Sequence, residues 1–174
     1  VENLLYSTRI EEGRMALKPS PELLSEIFEE AMQHIRPKLK GHTVTVFCED
    51  DFMLVRADAK LIVQVIINLV DNALKYTPPE TAVYISTAKR GKMAEIKIAD
   101  TGNGISDAEK IKIFDKFYCG ENRIADNRRS LGLGLYLCKA IVEAHGGTIC
   151  VTDNLPHGAI FHFTLPLEEA AYHE

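Results

Sequence analysis

The chain has 174 residues, of which 46% are hydrophobic and 26% charged, and its formal net charge is −5. This size and balance are typical of one globular domain with a hydrophobic core, and no apolar run approaches the ~18 residues that span a bilayer. The acidic net charge argues against nucleic acid as the main partner, because neutralising phosphates needs clustered Lys and Arg.

Hydrophobic periodicity predicts a mixture of helices and short strands. In chain order these are a helix within 1–15, a helix over 23–35, a strand over 43–48, a helix over 59–76, a strand pair over 82–88 and 93–100, helices over 107–117 and 133–144, and closing strands over 148–152 and 159–165. Ser20 or Ser25 is the expected N-cap of the second helix, and Asp58 that of the third. We therefore expect an α+β fold in which helices pack on one face of a single sheet.

The helix over 59–76 carries the first candidate site. Its middle is apolar nearly all round, which predicts a central position in the core, yet Asn68, Asn72 and Lys75 share one stripe at i, i+4 and i+7. Two Asn side chains in so apolar a helix need partners if they are buried. Either they bond neighbouring backbone, with Asp71 and Lys75 forming an ion pair, or an Asn oxygen binds Mg²⁺ and the Lys75 ammonium binds a phosphate oxygen.

Two glycine-containing segments follow at the ends of predicted elements. The segment Asp100-Thr-Gly102-Asn-Gly104 ends a strand. Its carboxylate can accept the exocyclic amine proton of adenine while Gly102 allows the backbone to approach closely, although Asp and Gly are also common in ordinary turns. Gly132-Leu-Gly134 opens a helix, where backbone N–H groups favour phosphate and small residues also favour close packing. No Gly-Lys-Ser/Thr follows, so this segment is not a P-loop.

Taken together and in this order, the segments resemble the sequence boxes of the catalytic ATP-binding domain of sensor histidine kinases, within the GHKL ATPase superfamily. Residues 68–76 resemble the N box, 100–105 the G1 box, 113–117 the F box and 132–135 the G2 box, while 158–166 resemble the closing glycine and strand. The resemblance covers residues 21 to 166. The opening residues 1–5 also resemble those of potassium-responsive (Kdp-type) sensor kinases.

The resemblance implies a two-layer α/β sandwich of the Bergerat type, with a mixed, mostly antiparallel sheet and helices on one face. It implies ATP and Mg²⁺ as cofactors, Asn72 as a metal ligand supported by Asn68, and Asn68, Asn72 and Lys75 as the catalytic residues. Residues 118–131 would form a lid over the nucleotide. The ATP-binding residues that it implies are Asn72, Lys75, Tyr76, Asp100, Gly102, Gly104, Ile105, Phe117, Arg123, Gly132, Leu133, Gly134 and Leu135.

The chain departs from the family pattern at three positions. Cys119 stands where many relatives carry an Arg, so a lid contact to phosphate must come from Arg123 or from the Arg pair at 128–129. Ser130 replaces the usual first glycine of the G2 box, and Ala159 replaces the Thr often found after the closing glycine. None of these changes removes the implied metal or adenine ligands, so we expect ATP binding to be retained.

The first residue of the N box separates kinase from hydrolase chemistry within this resemblance. Relatives that hydrolyse ATP carry Glu there, whereas the carboxamide of Asn68 cannot accept a proton from water near neutral pH. The six histidines are scattered, and none lies in a segment that resembles the acceptor box. The sequence therefore favours transfer of the γ-phosphoryl group to a histidine on an upstream hairpin. ATP hydrolysis of the GHKL type and nucleotide sensing without catalysis are the alternatives.

Domain limits and partners follow from the same resemblance. Residues 1–18 are expected to be the tail of the dimerisation and phosphoacceptor hairpin, 19–167 the catalytic domain and 168–174 a C-terminal tail. The implied partners are that hairpin in the same protein, a second copy joined through it, and a cognate response regulator. Contact of this segment with nucleic acid or membrane is not expected. We expect a cytoplasmic location, as part of a membrane-anchored bacterial sensor.

Overall fold

The computed structural model describes residues 5, 9, 16–75, 77–116, 118 and 134–168. The helix predicted within 1–15 lies outside these residues, apart from Leu5 and Arg9, which are helical. No helix in the described part of the chain is long and apolar enough to cross a membrane. The elements are β1 (Ser20–Leu23), α1 (Leu24–Ile35), a 3₁₀ turn (Arg36–Lys38), β2 (Thr43–Cys48), β3 (Leu54–Ala57), α2 (Ala59–Lys75), β4 (Ala82–Arg90), β5 (Met93–Ala99), α3 (Asp107–Lys112), α4 (Gly134–Ala144), β6 (Ile149–Asp153) and β7 (Ala159–Pro166).

Five strands form the main sheet, in the order β2-β4-β5-β7-β6. Strand β2 runs parallel to β4, whereas the pairs β4–β5, β5–β7 and β6–β7 are antiparallel. The β4–β5 hairpin turns at Gly91, whose φ of +62° is a backbone conformation that glycine adopts readily. The sheet is therefore mixed and mostly antiparallel, as the family resemblance implied.

The main sheet buries one of its two faces. Along β7 every second side chain is buried, including Phe161 and Phe163, which is the period-2 pattern of a strand with one exposed face. Helices α1, α2 and α4 pack together over the buried face, and α2 contributes Ile62 and other fully buried side chains to the centre of the core. On the opposite face Tyr84 remains 50% exposed. This arrangement confirms the predicted α+β sandwich with helices on one face.

The sequence analysis missed a second sheet, in which β1 and β3 pair antiparallel. Ser20 lies opposite Ala57 and Leu23 lies opposite Leu54. The prediction that Ser20 or Ser25 caps the next helix was therefore wrong, because Ser20 is in β1 and Leu23 precedes α1 without a side-chain cap. Four-residue strands carry too little periodicity to be recognised from sequence alone.

A hydrogen-bonded junction ties the start of α2 to the end of α4. Asp58 precedes α2 as predicted, and its carboxylate accepts a hydrogen bond from the Lys18 N–H at 3.2 Å. The Asp58 N–H donates to Nε2 of the buried His145 at 3.0 Å, and Nδ1 of the same ring donates to the Ile141 carbonyl at 2.7 Å. Since a backbone amide only donates and a carbonyl only accepts, this geometry requires the tautomer with its proton on Nδ1.

Replacing His145 with Leu should lower the free energy of unfolding by about 1–3 kcal/mol, because the Asp58 N–H loses its acceptor. His145→Gln should lose less, since its amide oxygen can still accept that hydrogen bond. Urea denaturation of the three proteins measures both effects. A Leu variant as stable as the parent, or a Gln variant no better than the Leu variant, would contradict this role for the junction.

Candidate functional site

The predicted stripe on α2 reaches the end of the helix, where Asn72 is half-buried and Lys75 is the last helical residue and exposed. Thr77 is buried, and its Oγ1 donates to the Ala73 carbonyl at 2.8 Å. This bond satisfies one of the carbonyls that a helix C-terminus leaves without a partner. Pro78 follows and cannot continue the helix. These features define where α2 ends, just after the turn of helix that carries Asn72 and Lys75.

Asp100 follows β5 and is only 8% exposed. Its Oδ1 accepts hydrogen bonds from the Gly102 N–H at 2.9 Å and from the Ala159 N–H at 3.2 Å. Its other oxygen, Oδ2, accepts no hydrogen bond from the described part of the chain. Residues 100–104, here called the Asp100 turn, therefore present a carboxylate with one oxygen held by backbone and one oxygen available to a ligand.

A cavity of about 370 Å³ lies between the end of α2 and the Asp100 turn, a volume in the range of small-molecule sites. Residues with carboxamide, ammonium and carboxylate side chains line it, a combination that suits a ligand with both an amine donor and anionic groups. The predicted residues that it brings together are Asn72, Lys75, Asp100, Gly102, Gly104 and Ile105. The other lining residues are Thr77, Pro78, Asn103, Glu109, Ala159 and Phe161.

Three of the predicted site residues that the structure describes are not among those that line the cavity: Asn68, Gly134 and Leu135. Asn68 is next to α4, because a Cβ added to Gly134 would lie 3.9 Å from the Asn68 Oδ1. That distance is an ordinary contact, so packing within the described structure does not require glycine at position 134. Leu135 packs against the hydrophobic core. The predicted residues outside the described part of the chain, whose roles stay predictions, are Tyr76, Phe117, Arg123, Gly132 and Leu133.

Sequence analysis missed Glu109 as a lining residue, although the chain carries a signal for it. The Glu109 N–H donates to Ser106 Oγ at 3.2 Å, and Ser106 Oγ lies 3.3 Å from Glu109 Oε2. Ser106 is therefore the N-cap of the helix, and its S-x-x-E spacing can be recognised in a sequence. The helix it begins, α3, ends at Lys112, short of the predicted limit at residue 117. Phe161, also missed, looks like any other core residue of a strand.

The charges around the site are mixed. Burial raises the pKa of Asp71, the neighbour of Asn72, while the Lys38 ammonium lowers it in part. An ion pair of 3.6 Å joins Lys38 Nζ to Asp71 Oδ2, so Asp71 has a partner other than the one expected within α2. The charged residues among those lining the cavity are Lys75, Asp100 and Glu109. The described residues that line the cavity thus include one cationic and two acidic side chains.

The donor groups at the cavity fit a magnesium ion that is bound together with a ligand. Among the described residues there is no group of three or more His, Cys, Asp or Glu side chains that could enclose a metal ion. Mg²⁺ usually retains several waters and takes one or two protein oxygens plus substrate phosphates. Asn72, which lines the cavity together with Lys75, has a carboxamide oxygen of the kind that meets that description.

Comparison with known proteins decides the family. Residues 57–169 match the family described as histidine kinase-, DNA gyrase B-, and HSP90-like ATPases. The chain belongs to this family. The matched segment contains α2, the Asp100 turn and β7, which together supply most of the cavity. Domains of this family bind ATP, which implies that the chain uses a nucleotide.

Several proteins similar to this chain are sensor kinases. The sensor protein KdpD of Clostridium acetobutylicum is 42% identical over 168 residues, which are 97% of this chain and 19% of that relative's length. The catalytic domain of the histidine kinase ThkA superimposes with a TM-score of 0.76 at 27% identity, over 86% of this chain and 95% of that domain. ThkA in complex with the response regulator TrrA gives a TM-score of 0.77 at 25% identity, over 96% and 48% of the two chains. These findings confirm the resemblance to sensor histidine kinases.

Gly158 is required by its contact with the Asp100 turn. Its φ is +119°, and a Cβ added there would collide with the Asp100 carbonyl. We expect Gly158→Ala to displace the turn and weaken nucleotide binding by about ten-fold or more. Titration with a fluorescent ATP analogue measures the change.

Gly146→Ala is the matched control for that variant. Gly146 also has a positive φ, of +82°, but an added Cβ would meet nothing within 4 Å. Its cost should be limited to about 1 kcal/mol of backbone strain in stability. If the two variants bound the analogue equally well, contact between Gly158 and the Asp100 turn would not determine binding.

Proposed function

We propose that this chain binds Mg-ATP and transfers its γ-phosphoryl group to a histidine on the helical hairpin of a two-component sensor kinase. The observation that carries this proposal is the cavity that joins Asn72 and Lys75 at the end of α2 to the buried Asp100 after β5. Membership of the ATPase family supports it, as does the similarity to the catalytic domain of ThkA.

At the base end of the cavity, Asp100 would recognise adenine. A carboxylate only accepts hydrogen bonds, so it pairs with the exocyclic amine of adenine and not with the carbonyl oxygen at the same position of guanine. Because Oδ1 is occupied by two backbone N–H groups, Oδ2 is the atom proposed to contact the base. Ile105 and Phe161 are buried side chains of the same cavity and offer it apolar surface. Gly102 and Gly104 would let the backbone approach the nucleotide.

At the phosphate end, Asn72 would hold Mg²⁺ with Asn68 in support, and Lys75 would contact phosphate oxygens. When bound, Mg²⁺ neutralises charge on the phosphates. Phosphoryl transfer asks mainly for positioning and charge stabilisation from the protein, and a carboxamide and an ammonium group can supply both. The acceptor histidine nitrogen would form the new P–N bond while the bond to the ADP oxygen breaks. Tyr76, Phe117, Arg123 and the segment 132–135 are proposed to complete the ATP site.

The proposed partners are the hairpin of the same protein, a second copy joined through it, and a response regulator. ThkA, to which this chain is similar, has been solved in complex with the response regulator TrrA. That similarity supports a response regulator as the final phosphate acceptor. We also propose that the chain is the cytoplasmic part of a membrane-anchored sensor.

ATP hydrolysis is a second candidate, because Glu109, which has a carboxyl group, is among the residues that line the cavity. A carboxylate can accept a proton from an attacking water, which the carboxamide of Asn68 cannot do. However, the Glu109 carboxylate already accepts a hydrogen bond from Ser106, the N-cap residue of α3. Its position is therefore explained by helix capping, and phosphotransfer remains the function that the site supports best.

Asn72→Ala should weaken ATP binding by about ten-fold when Mg²⁺ is present and much less when it is chelated, because the variant removes a metal ligand. Titrations of a fluorescent ATP analogue, with Mg²⁺ and with a chelator, measure the two affinities. An equal loss under both conditions would mean that Asn72 supports the structure and does not hold the metal.

The direct test of the proposed function is transfer from radiolabelled ATP to a purified hairpin that carries the acceptor histidine. We expect acid-labile, base-stable label on the hairpin, as is typical of phosphohistidine. Asp100→Asn is the matched control and should give no label, because it removes the adenine acceptor with little change of shape. Release of phosphate without labelled hairpin would favour hydrolysis, and ATP binding with neither product would favour a nucleotide sensor.

A further inference from the structure

The loop between β6 and β7, residues 154–158, packs directly against the Asp100 turn and is here called the clamp loop. The Asn154 N–H donates to the Gly158 carbonyl at 3.0 Å, which closes the loop into a compact turn. A Cβ added to Gly104 would lie 3.2 Å from that same carbonyl, and one added to Gly158 would collide with the Asp100 carbonyl. The two backbone segments are therefore in contact without intervening side chains.

Two side chains of the clamp loop donate hydrogen bonds to carbonyls of the Asp100 turn. Asn154 Nδ2 donates to the Asp100 carbonyl at 2.7 Å, and His157 Nδ1 donates to the Gly102 carbonyl at 3.1 Å. Strand pairing continues only as far as Asp100, whose N–H donates to the Ala159 carbonyl at 2.9 Å. Beyond that point, carbonyls that are sheltered from water need other partners, and the clamp loop provides them.

We propose that Asn154 and His157 are positioning residues that orient the Asp100 carboxylate and thereby set the preference of the site for adenine. The inference rests on the proposed function, since it takes Asp100 as the residue that recognises the base. Neither side chain is among the residues that line the cavity. Both would therefore act through the Asp100 turn and not by touching the nucleotide.

Only a few bonds connect the clamp loop to the Asp100 carboxylate. His157 holds the peptide of Gly102, whose N–H donates to Asp100 Oδ1 at 2.9 Å. Asn154 holds the carbonyl of Asp100 itself. The second donor to Oδ1, the Ala159 N–H at 3.2 Å, belongs to the residue that directly follows the clamp loop. Loosening the loop would thus loosen both bonds that fix the direction of the carboxylate.

Orientation matters because hydrogen bonds weaken steeply when donor and acceptor are misaligned. A misdirected carboxylate should lower affinity for ATP, which donates from its 6-amino group. It should leave affinity for purine riboside triphosphate nearly unchanged, since that nucleotide has the same sugar and phosphates but lacks the amino group. The ratio of the two affinities therefore reports orientation of Asp100 and cancels effects on the phosphates or on folding.

The variants form matched sets. His157→Asn keeps an N–H close to the position of Nδ1. His157→Asp has nearly the same shape as His157→Asn, but it places an oxygen against the Gly102 carbonyl. Asn154→Asp makes the corresponding change at the other contact. Leu155→Asp adds the same charge to the same loop on a side chain that is 86% exposed and takes part in neither bond.

The measurement is isothermal titration of this chain with each nucleotide in the presence of Mg²⁺. We expect His157→Asp and Asn154→Asp to reduce the preference for ATP by about five-fold each. His157→Asn and Leu155→Asp should keep it within roughly two-fold of the parent. Equal loss of affinity for both nucleotides, an unchanged preference, or a His157→Asn variant as poor as His157→Asp would overturn the inference.

Asp100→Asn separates failure of this inference from failure of the proposed function. If Asp100→Asn leaves the preference for ATP unchanged, the assignment of Asp100 to adenine is wrong and the inference falls with it. If Asp100→Asn removes the preference while the clamp-loop variants retain it, the inference alone is wrong. Since two positions are tested separately, misfolding of one variant still leaves the other to decide.

Discussion

The site depends on how a carboxylate is buried at the end of a strand. Asp100 is 8% exposed, and burying an ionised carboxylate is unfavourable unless hydrogen bonds compensate it. Two backbone N–H groups do so, one from Gly102 and one from Ala159. The Ala159 N–H belongs to β7, which is far from Asp100 in sequence. The two segments can approach each other because Gly158 has no side chain to collide with the Asp100 carbonyl. The contacts that allow the carboxylate to be buried are therefore the contacts that shape the Asp100 end of the cavity.

The other end of the cavity depends on the core. Helix α2 buries Ile62, Ile66 and Leu69 completely, and each buried methylene contributes about 0.8 kcal/mol, so many apolar contacts fix its position. Along the stripe of this helix, Asn68 is next to α4 while Asn72 lines the cavity. The two asparagines of this stripe therefore have different surroundings, with the side chain of Asn68 beside another helix and Asn72 at the cavity.

Much of the fold was predictable because long amphipathic elements dominate it, whereas the four-residue strands β1 and β3 were missed. At the site, Asn72 and Lys75 could be selected because polar side chains are conspicuous in an apolar helix, whereas Asp100 was selected through its glycine-containing segment and the family resemblance. Asn154 could not, since its bond to the Asp100 carbonyl spans 54 residues and no local pattern records such a contact. Ala159 acts through its backbone N–H, which any residue other than proline would supply, so its side chain gives no signal.

The two ends of the cavity are thus stabilised by different interactions, and this has consequences for how recognition can change. Moving α2 would disturb a large apolar interface, whereas the clamp loop is held to the Asp100 turn by individual hydrogen bonds of about 1 kcal/mol each. Exposed loops held in this way open at lower free energy than core elements do. Substitutions such as those at His157 are therefore expected to change the Asp100 end of the cavity while the end formed by α2 stays intact. A fold that builds one end of its cavity on a buried helix and the other end beside a surface loop can change the contacts at the loop end without losing stability.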